Sequence, residues 1–480
     1  MGARRWFEVS IRECTPLGRL LVATTLLLGA CTSDGDDPLD AQTPSPSSTA
    51  IGEDGPTPDP VSEEKPKKPK LRPLGHHGLG GRGFHGDVWG FGEFAYIGNW
   101  GGKYEDADCP AGGVKVVDIS NPRKPRMVSR LRNPPNTTAE DVVVRHVETK
   151  AFTGDVATVG IQACGLREGP HHERFRGLQF FNVTNPKKPK ELSRWRQPSE
   201  WPGCHEIDMT VARGRALAGC AFPLARRTGG DEVFVIDISK PRRPKKLFGW
   251  SLPVDTDTGI GCLNRKLVHS VRFSDNGKRL FVSYWDAGTP ILNISKPRKP
   301  RLIGIIEKKP RDPDGDNHSV AEVPGGLLIV LHEDFSPALP ETNFGDCGTR
   351  FGSWGKMRIF NIKNPRKPRF VSQFGTKHSS RSQMSKPRIY AVHNAEVVGR
   401  DQVFLSWYSD GVRWVDIGKP RKPKELARWV PRARRDPHGF FPKEALVWGV
   451  YPMADRELVL VSDINSGLWV LKARGLQDRL

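Results

Sequence analysis

An eleven-residue stretch at 116–126, VVDISNPRKPR, recurs five more times along the chain: FFNVTNPKKPK at 180–190, VIDISKPRRPK at 235–245, ILNISKPRKPR at 291–301, IFNIKNPRKPR at 359–369 and WVDIGKPRKPK at 414–424. Each copy opens with β-branched or aromatic residues, such as Val114, Val116, Val117 and Ile119, the pattern of a buried strand. Next comes Asp118, Asn182, Asp237, Asn293, Asn361 or Asp416, a short side chain that closes a turn on nearby backbone N–H groups. Pro-x-x-Pro follows. Proline donates no N–H and fixes φ, so one strand must end there and another begin beyond it.

Successive Asp/Asn positions are 64, 55, 56, 68 and 55 residues apart. Several strands per period of that length predict a propeller rather than a helical solenoid. Hairpins with Gly-containing turns lie between the copies, for example DVWGFGEFAYIGNW from Asp87 and HSVRFSDNGKRLFVSYW from His269. Two strands plus two make a four-stranded blade. A degenerate seventh copy at 450–472 supplies only three strands. At the other end of the propeller region, EKPKKPKL at 64–71 has the basic turn with no strand before it, so residues 69–75 are expected to close blade seven as its outermost strand. The fold class is all-β: a seven-bladed β-propeller closed by an N-terminal strand.

These residues resemble the LVIVD-repeat propellers of bacterial and archaeal surface proteins. VHNAEVVGRDQVFLSWYSDGVRWVDI and WGVYPMADRELVLVSDINSGLWVLK are also similar to choice-of-anchor B proteins. The resemblance runs from about Lys65 to Lys472 and implies fold and surface location, but no chemistry. The turns depart from the family's weakly charged D-P-x-x-P type, being rich in Lys and Arg throughout.

Residues 1–31 read as a lipoprotein signal peptide. Arg4 and Arg5 precede the uncharged apolar run 20–28, which is too short for an ordinary membrane span, and Leu28-Gly29-Ala30-Cys31 is a lipobox. The rule for such signals puts the lipid on Cys31. Residues 32–64 form a disordered acidic tether, rich in Pro and Ser, with nine acids and no Lys or Arg. Removing both segments from the 74 bases and 54 acids of the whole chain leaves 70 bases and 43 acids in the propeller, 65–480. The expected location is extracytoplasmic, lipid-anchored to the cell membrane, or to the outer membrane where the envelope has one.

Six cysteines remain in the propeller: Cys109, Cys164, Cys204, Cys220, Cys262 and Cys347. An even number in an exported chain favours disulfides, and no CxxC pair suggests zinc. Cys109 with Cys164, at matching positions in adjacent blades, is the expected pair.

The Pro-x-x-Pro turns all leave the third strand of a blade in one direction. They therefore put Arg123, Lys124, Lys187, Lys188, Arg242, Arg243, Arg298, Lys299, Arg366, Lys367, Arg421 and Lys422 on one face. That face suits an anionic phospholipid surface or envelope polymer. No aromatics are interleaved for stacking on bases, so nucleic acid is not an expected partner. The alternative is a face charged for solubility alone.

The opposite face collects histidines where the inner strands begin: His85, His205, His269, His318 and His393. Blades two and seven carry Ala139 and Trp448 there. Such a ring at the channel mouth, with Glu206, Asp316, His332, Glu333 and Asp334 nearby, could serve a small ligand, a protein partner, or a divalent metal such as copper or zinc. Equally, each His could simply bond backbone in its loop. The sequence thus supports a surface binding or scaffold protein with no assigned catalytic residue; the rival is a metal-dependent, redox enzyme centred on the His ring.

Overall fold

The computed structural model describes residues 68–81, 84–100, 112–163, 174–198, 203–222, 230–253, 256, 267–306, 315–334, 354–380, 388–435 and 443–480. The signal peptide, Cys31, the tether and Cys109, Cys164, Cys262 and Cys347 lie outside them. The described chain is nearly all β, with short 3-10 turns and no α-helix. It makes seven antiparallel blades, at 84–131, 142–196, 207–250, 268–306, 317–374, 395–429 and 447–474. The seventh is completed by Lys70–His77, which pairs antiparallel with Gly467–Arg474. The closing strand thus starts one residue later than the sequence suggested and runs two residues further.

Every basic turn is built the same way. The Asp or Asn carboxylate or amide oxygen accepts the N–H two residues on, at 2.8–3.0 Å: Asp118 from Ser120, Asn182 from Thr184, Asp237 from Ser239, Asn293 from Ser295, Asn361 from Lys363 and Asp416 from Gly418. The residue before the first Pro then accepts the N–H three residues on, as Asn121 does from Lys124 and Lys240 from Arg243. This is the turn that Pro in its second position favours. Between these bonds sits a buried anchor: Ile119, Val183, Ile238, Ile294, Ile362 or Ile417. Burying a side chain of this size contributes roughly 1.5–3 kcal/mol.

Beyond the turn, each outer strand skips one apolar residue against its partner. The bulged residues are Val128, Leu192, Leu247, Ile303, Val371, Leu426 and, in the closing strand, Leu74. A bulge bends the strand and sharpens its twist. In several blades it also places a small residue against the basic turn of the next blade, although blade three carries Phe248 there. Ser129 donates to the Pro186 carbonyl, Ser193 to Pro241 and Ser372 to Pro420, each at 2.5 Å. Blade four has Gly304 at this position, where a Cβ would stand 1.8 Å from the Pro365 carbonyl oxygen. At the seam Gly75 occupies it, 2.3 Å by the same measure from Pro122 O. The closing strand therefore touches blade one as an internal blade touches its neighbour.

Gly304→Ala should lower the unfolding free energy by about 1–3 kcal/mol, because the neighbour it meets is backbone. Gly78→Ala, with nothing within 4 Å of its new Cβ, should stay within about 0.5 kcal/mol. Chemical denaturation of both variants measures the difference.

Candidate functional site

The seven inner strands all begin at the face opposite the basic turns. The second strand of a blade returns, and the third runs parallel to the first and ends in the turn. The residues that begin the inner strands therefore meet around the axis, and there they close a ring. The Glu140 carboxylate of blade two lies 2.6 Å from His205 Nδ1 of blade three. His205 Nε2 lies 3.1 Å from His269 Nε2 of blade four. The His269 and His318 rings are 4.0 Å apart, and those of His318 and His393 are 4.1 Å apart. His393 rests on Trp448 of blade seven at 4.0 Å, and Trp448 Nε1 donates back to Glu140 Oε1 at 3.1 Å. Blade one adds Phe84 and Trp100 against Trp448, and Trp100 also packs on His205.

Two carboxylates face this ring. Glu206 Oε1 is 3.5 Å from His318 Nε2 and 3.9 Å from His269 Nδ1. Glu333 lies 3.6 Å from His318 Nε2 and 3.8 Å from His393 Nε2, and its Oε1 accepts the Tyr408 hydroxyl. The four histidines, Glu140, Glu206, Glu333, Tyr408 and Trp448 are all buried. Two sets of possible metal ligands fall together: Glu206, His318 and His393, and His269, His318 and Glu333.

Burial dominates the electrostatics. It holds His269 and His318 well below the ordinary imidazole range, with neighbouring histidines adding to the effect, and takes His393 down to about 3. These rings are neutral. Burial, then repulsion from Glu140, Asp141 and Asp87, pushes Glu206 well up. Glu333 is raised by burial too, against the Tyr408 bond.

One residue further along the strands, a second tier crosses the axis. Asn394 donates to Asp87 at 3.0 Å, Ser270 to the His318 carbonyl and Ser319 to that of His393. Gly449 is required beside Asp87, where a Cβ would come within 1.9 Å of the carboxylate. Burial, followed by repulsion from Asp141, raises Asp87; burial takes Asp141 to about 7. Below, Arg272 makes a two-pronged salt bridge across the axis to Glu396, at 3.0 and 2.8 Å. The expected channel is thus spanned by side chains at this depth.

The other sequence candidates sit apart from the ring. His85 Nδ1 is 3.1 Å from Lys115 Nζ, which also donates to Asn99 at 2.8 Å. So blade one's histidine faces a buried lysine rather than the other four. Asp334 accepts the Asp316 N–H at 3.1 Å, and the Glu333 N–H bonds the Asp316 carbonyl. Asp316 and Asp334 thereby hold the loop that aims Glu333. His332 pairs with Asn317 in blade five's hairpin. Among the cysteines, Cys204 and Cys220 form a disulfide, tying the residue before His205 to the second strand of blade three. Cys220 lies within that strand, Arg215–Ala221. The Cys109–Cys164 pairing falls outside the described residues. Trp448 joins the ring from the position that the repeat gives it, while Glu140 and Tyr408 join although the histidine pattern does not predict them. The sequence pattern put Ala139 at blade two's ring position; the Gly160 N–H bonds the Asp141 carbonyl as the Ala221 N–H bonds that of Glu206, so the residue equivalent to His205 is Glu140, one further on.

All twelve named bases of the turns are exposed. The contacts from Ser129 to Pro186, Ser193 to Pro241 and Ser372 to Pro420 set their turns side by side around the face. Lys187 reaches Asp118 of the preceding blade at 3.7 Å.

Lys115 supplies a test of this interior. Burial, with a smaller effect of Arg130, brings its ammonium down to about 7. Unfolded, a lysine protonates near about 10.4. Between those values the unfolded chain holds a proton that the folded chain lacks, so folded stability rises with pH across that window. Lys115→Met should remove up to about 1.4 kcal/mol per pH unit of that rise, read by denaturation at pH 7, 8 and 9.

The family model of the LVIVD repeat matches residues 107–132. No curated protein matches the sequence. Among solved structures, the crystal structure of Chaetomium thermophilum Raptor is similar at 13% identity and a TM-score of 0.46, over 85% of this chain and 28% of that one. The chain spans little more than a quarter of that protein's length, and the likeness carries no argument about function. A repeat propeller is an architecture suited to a binding or scaffold role. The chain thus carries an LVIVD repeat at 107–132 within a β-propeller of seven closed blades.

Proposed function

We propose that the chain is an extracytoplasmic, lipid-anchored binding scaffold that docks by its basic face on a polyanionic envelope surface. In this reading the Cys31 lipid and the acidic tether hold the propeller near the membrane. The His-lined face is then left to a partner or small ligand. The observation that carries the reading is the repeated turn itself. Six rigid Pro-x-x-Pro corners each hold an exposed pair of bases, and serine-to-carbonyl bonds fix several of these corners relative to one another. Near an anionic bilayer each base contributes on the order of 1 kcal/mol. The Cys204–Cys220 disulfide agrees with an oxidising compartment. Ligands alone do not make a reaction, and nothing about the His ring favours a redox enzyme over a binding site.

The chain beginning at Thr32, which lacks the acylation site, should co-sediment with vesicles containing phosphatidylglycerol and not with neutral ones. Binding should fall steeply with added salt, since exposed charges are screened within about 8 Å at physiological ionic strength. Replacing Lys187, Lys188, Arg242, Arg243, Arg298 and Lys299 with Ser should weaken it further. Binding indifferent to salt and to these changes would leave the face a solubilising one.

A further inference from the structure

The geometry points to a single divalent metal ion, of the zinc type, held on the axis by the triad Glu206 Oε1, His318 Nε2 and His393 Nε2, which the Glu333 carboxylate, beside it with His269, would complete. The inference stands apart from the docking reading, since the chain could hold the ion whether or not its basic face binds vesicles.

Around this spot Glu206 Oε1 lies 3.5 Å from His318 Nε2 and 3.9 Å from His269 Nδ1, Glu333 Oε2 lies 3.6 Å from His318 Nε2, and Glu333 Oε1 lies 3.8 Å from His393 Nε2. All exceed a hydrogen bond, which ends near about 3.2 Å. A shared water, tetrahedral with bonds of about 2.8 Å, would hold its partners about 4.6 Å apart. A tetrahedral zinc, with bonds of about 2.0–2.1 Å, holds its ligands about 3.3 Å apart. The observed spacings lie nearer the metal value.

Chemistry agrees. His318 Nε2, His393 Nε2 and Glu206 Oε1 are buried and have no hydrogen-bond partner. An unmet buried polar atom is costly, and three facing one another call for a shared cation. His393 is already oriented as a ligand. Its Nδ1 lies 2.7 Å from the Trp448 carbonyl, so that nitrogen carries the proton and Nε2 offers its lone pair inward. The Tyr408 hydroxyl steadies Glu333 in the same way. Imidazole and carboxylate donors suit zinc or copper. Cys204 and Cys220 are bonded to each other, so neither offers a thiolate.

The test is calorimetric titration of Zn2+ into the full chain, purified without a polyhistidine tag and stripped with chelator. One ion per chain is expected. The isosteric changes Glu206→Gln and Glu333→Gln, and also His318→Gln, should abolish uptake while near-ultraviolet circular dichroism stays native. Tyr408→Phe should weaken affinity by about 10- to 100-fold, as loss of a ligand-orienting partner does. His146→Gln, at an exposed histidine, should change nothing. Co2+ in place of Zn2+ should give the visible absorption of a tetrahedral site. No uptake by the folded wild-type chain, or uptake that survives both Glu→Gln changes, would overturn the assignment.

Discussion

Everything at the axis depends on one set of backbone hydrogen bonds, those between Lys70–His77 and Gly467–Arg474. A propeller whose last blade ends in a bare strand is an open ring with an exposed edge. Here the edge is covered by a strand almost four hundred residues away in sequence. The contact is not improvised: Leu74 bulges where the other outer strands bulge, and Gly75 meets the Pro122 carbonyl as Gly304 meets Pro365. Closure fixes blade seven against blade one. Only then can Trp448, from the last blade, reach Glu140, from the second.

The two faces follow from the same repeat by opposite logic. At the turns, Pro fixes the corner and leaves the positions between free to carry charge, which stays in water at little cost. At the axis the same topology forces side chains from all seven blades together, away from bulk solvent. There an ionisable group must find a partner or change its protonation. The chain does both. Arg272 and Glu396 pair across the axis, while the imidazoles of His269, His318 and His393 stay neutral and Glu206 and Glu333 are pushed toward their protonated forms.

The architecture was legible in the sequence because a repeat states its strand order and turn chemistry several times over. Asp118 and its five equivalents, the prolines and the lone basic turn at 64–71 fixed blade count, closure and the exposed face. Repeat position also placed His205, His269, His318 and His393 at one level of the axis. It could not tell how side chains on that level divide into neighbours. His85 stands one residue short of that level, since Asp87 shares the next tier with Ser270, Ser319 and Asn394, and its ring turns to the buried Lys115 of blade one's third strand. Glu140 and Trp448 break the histidine pattern yet complete the ring. Their contact spans 308 residues, and no local pattern encodes it. The cysteines illustrate the same limit: Cys204 and Cys220 pair within one blade, across a strand hairpin whose register only the folded chain reveals.

Native-state hydrogen exchange on the full chain tests closure most directly. If Lys70–His77 seals the ring, its ladder amides, such as those of Arg72 and Gly75, should exchange as slowly as those of Leu458–Asp463 inside the same blade, opening only with the blade as a whole. Exchange of the 70–77 amides at the rate of a frayed terminus, with the inner strands of blade seven still protected, would contradict the closed ring and the axial cluster that depends on it.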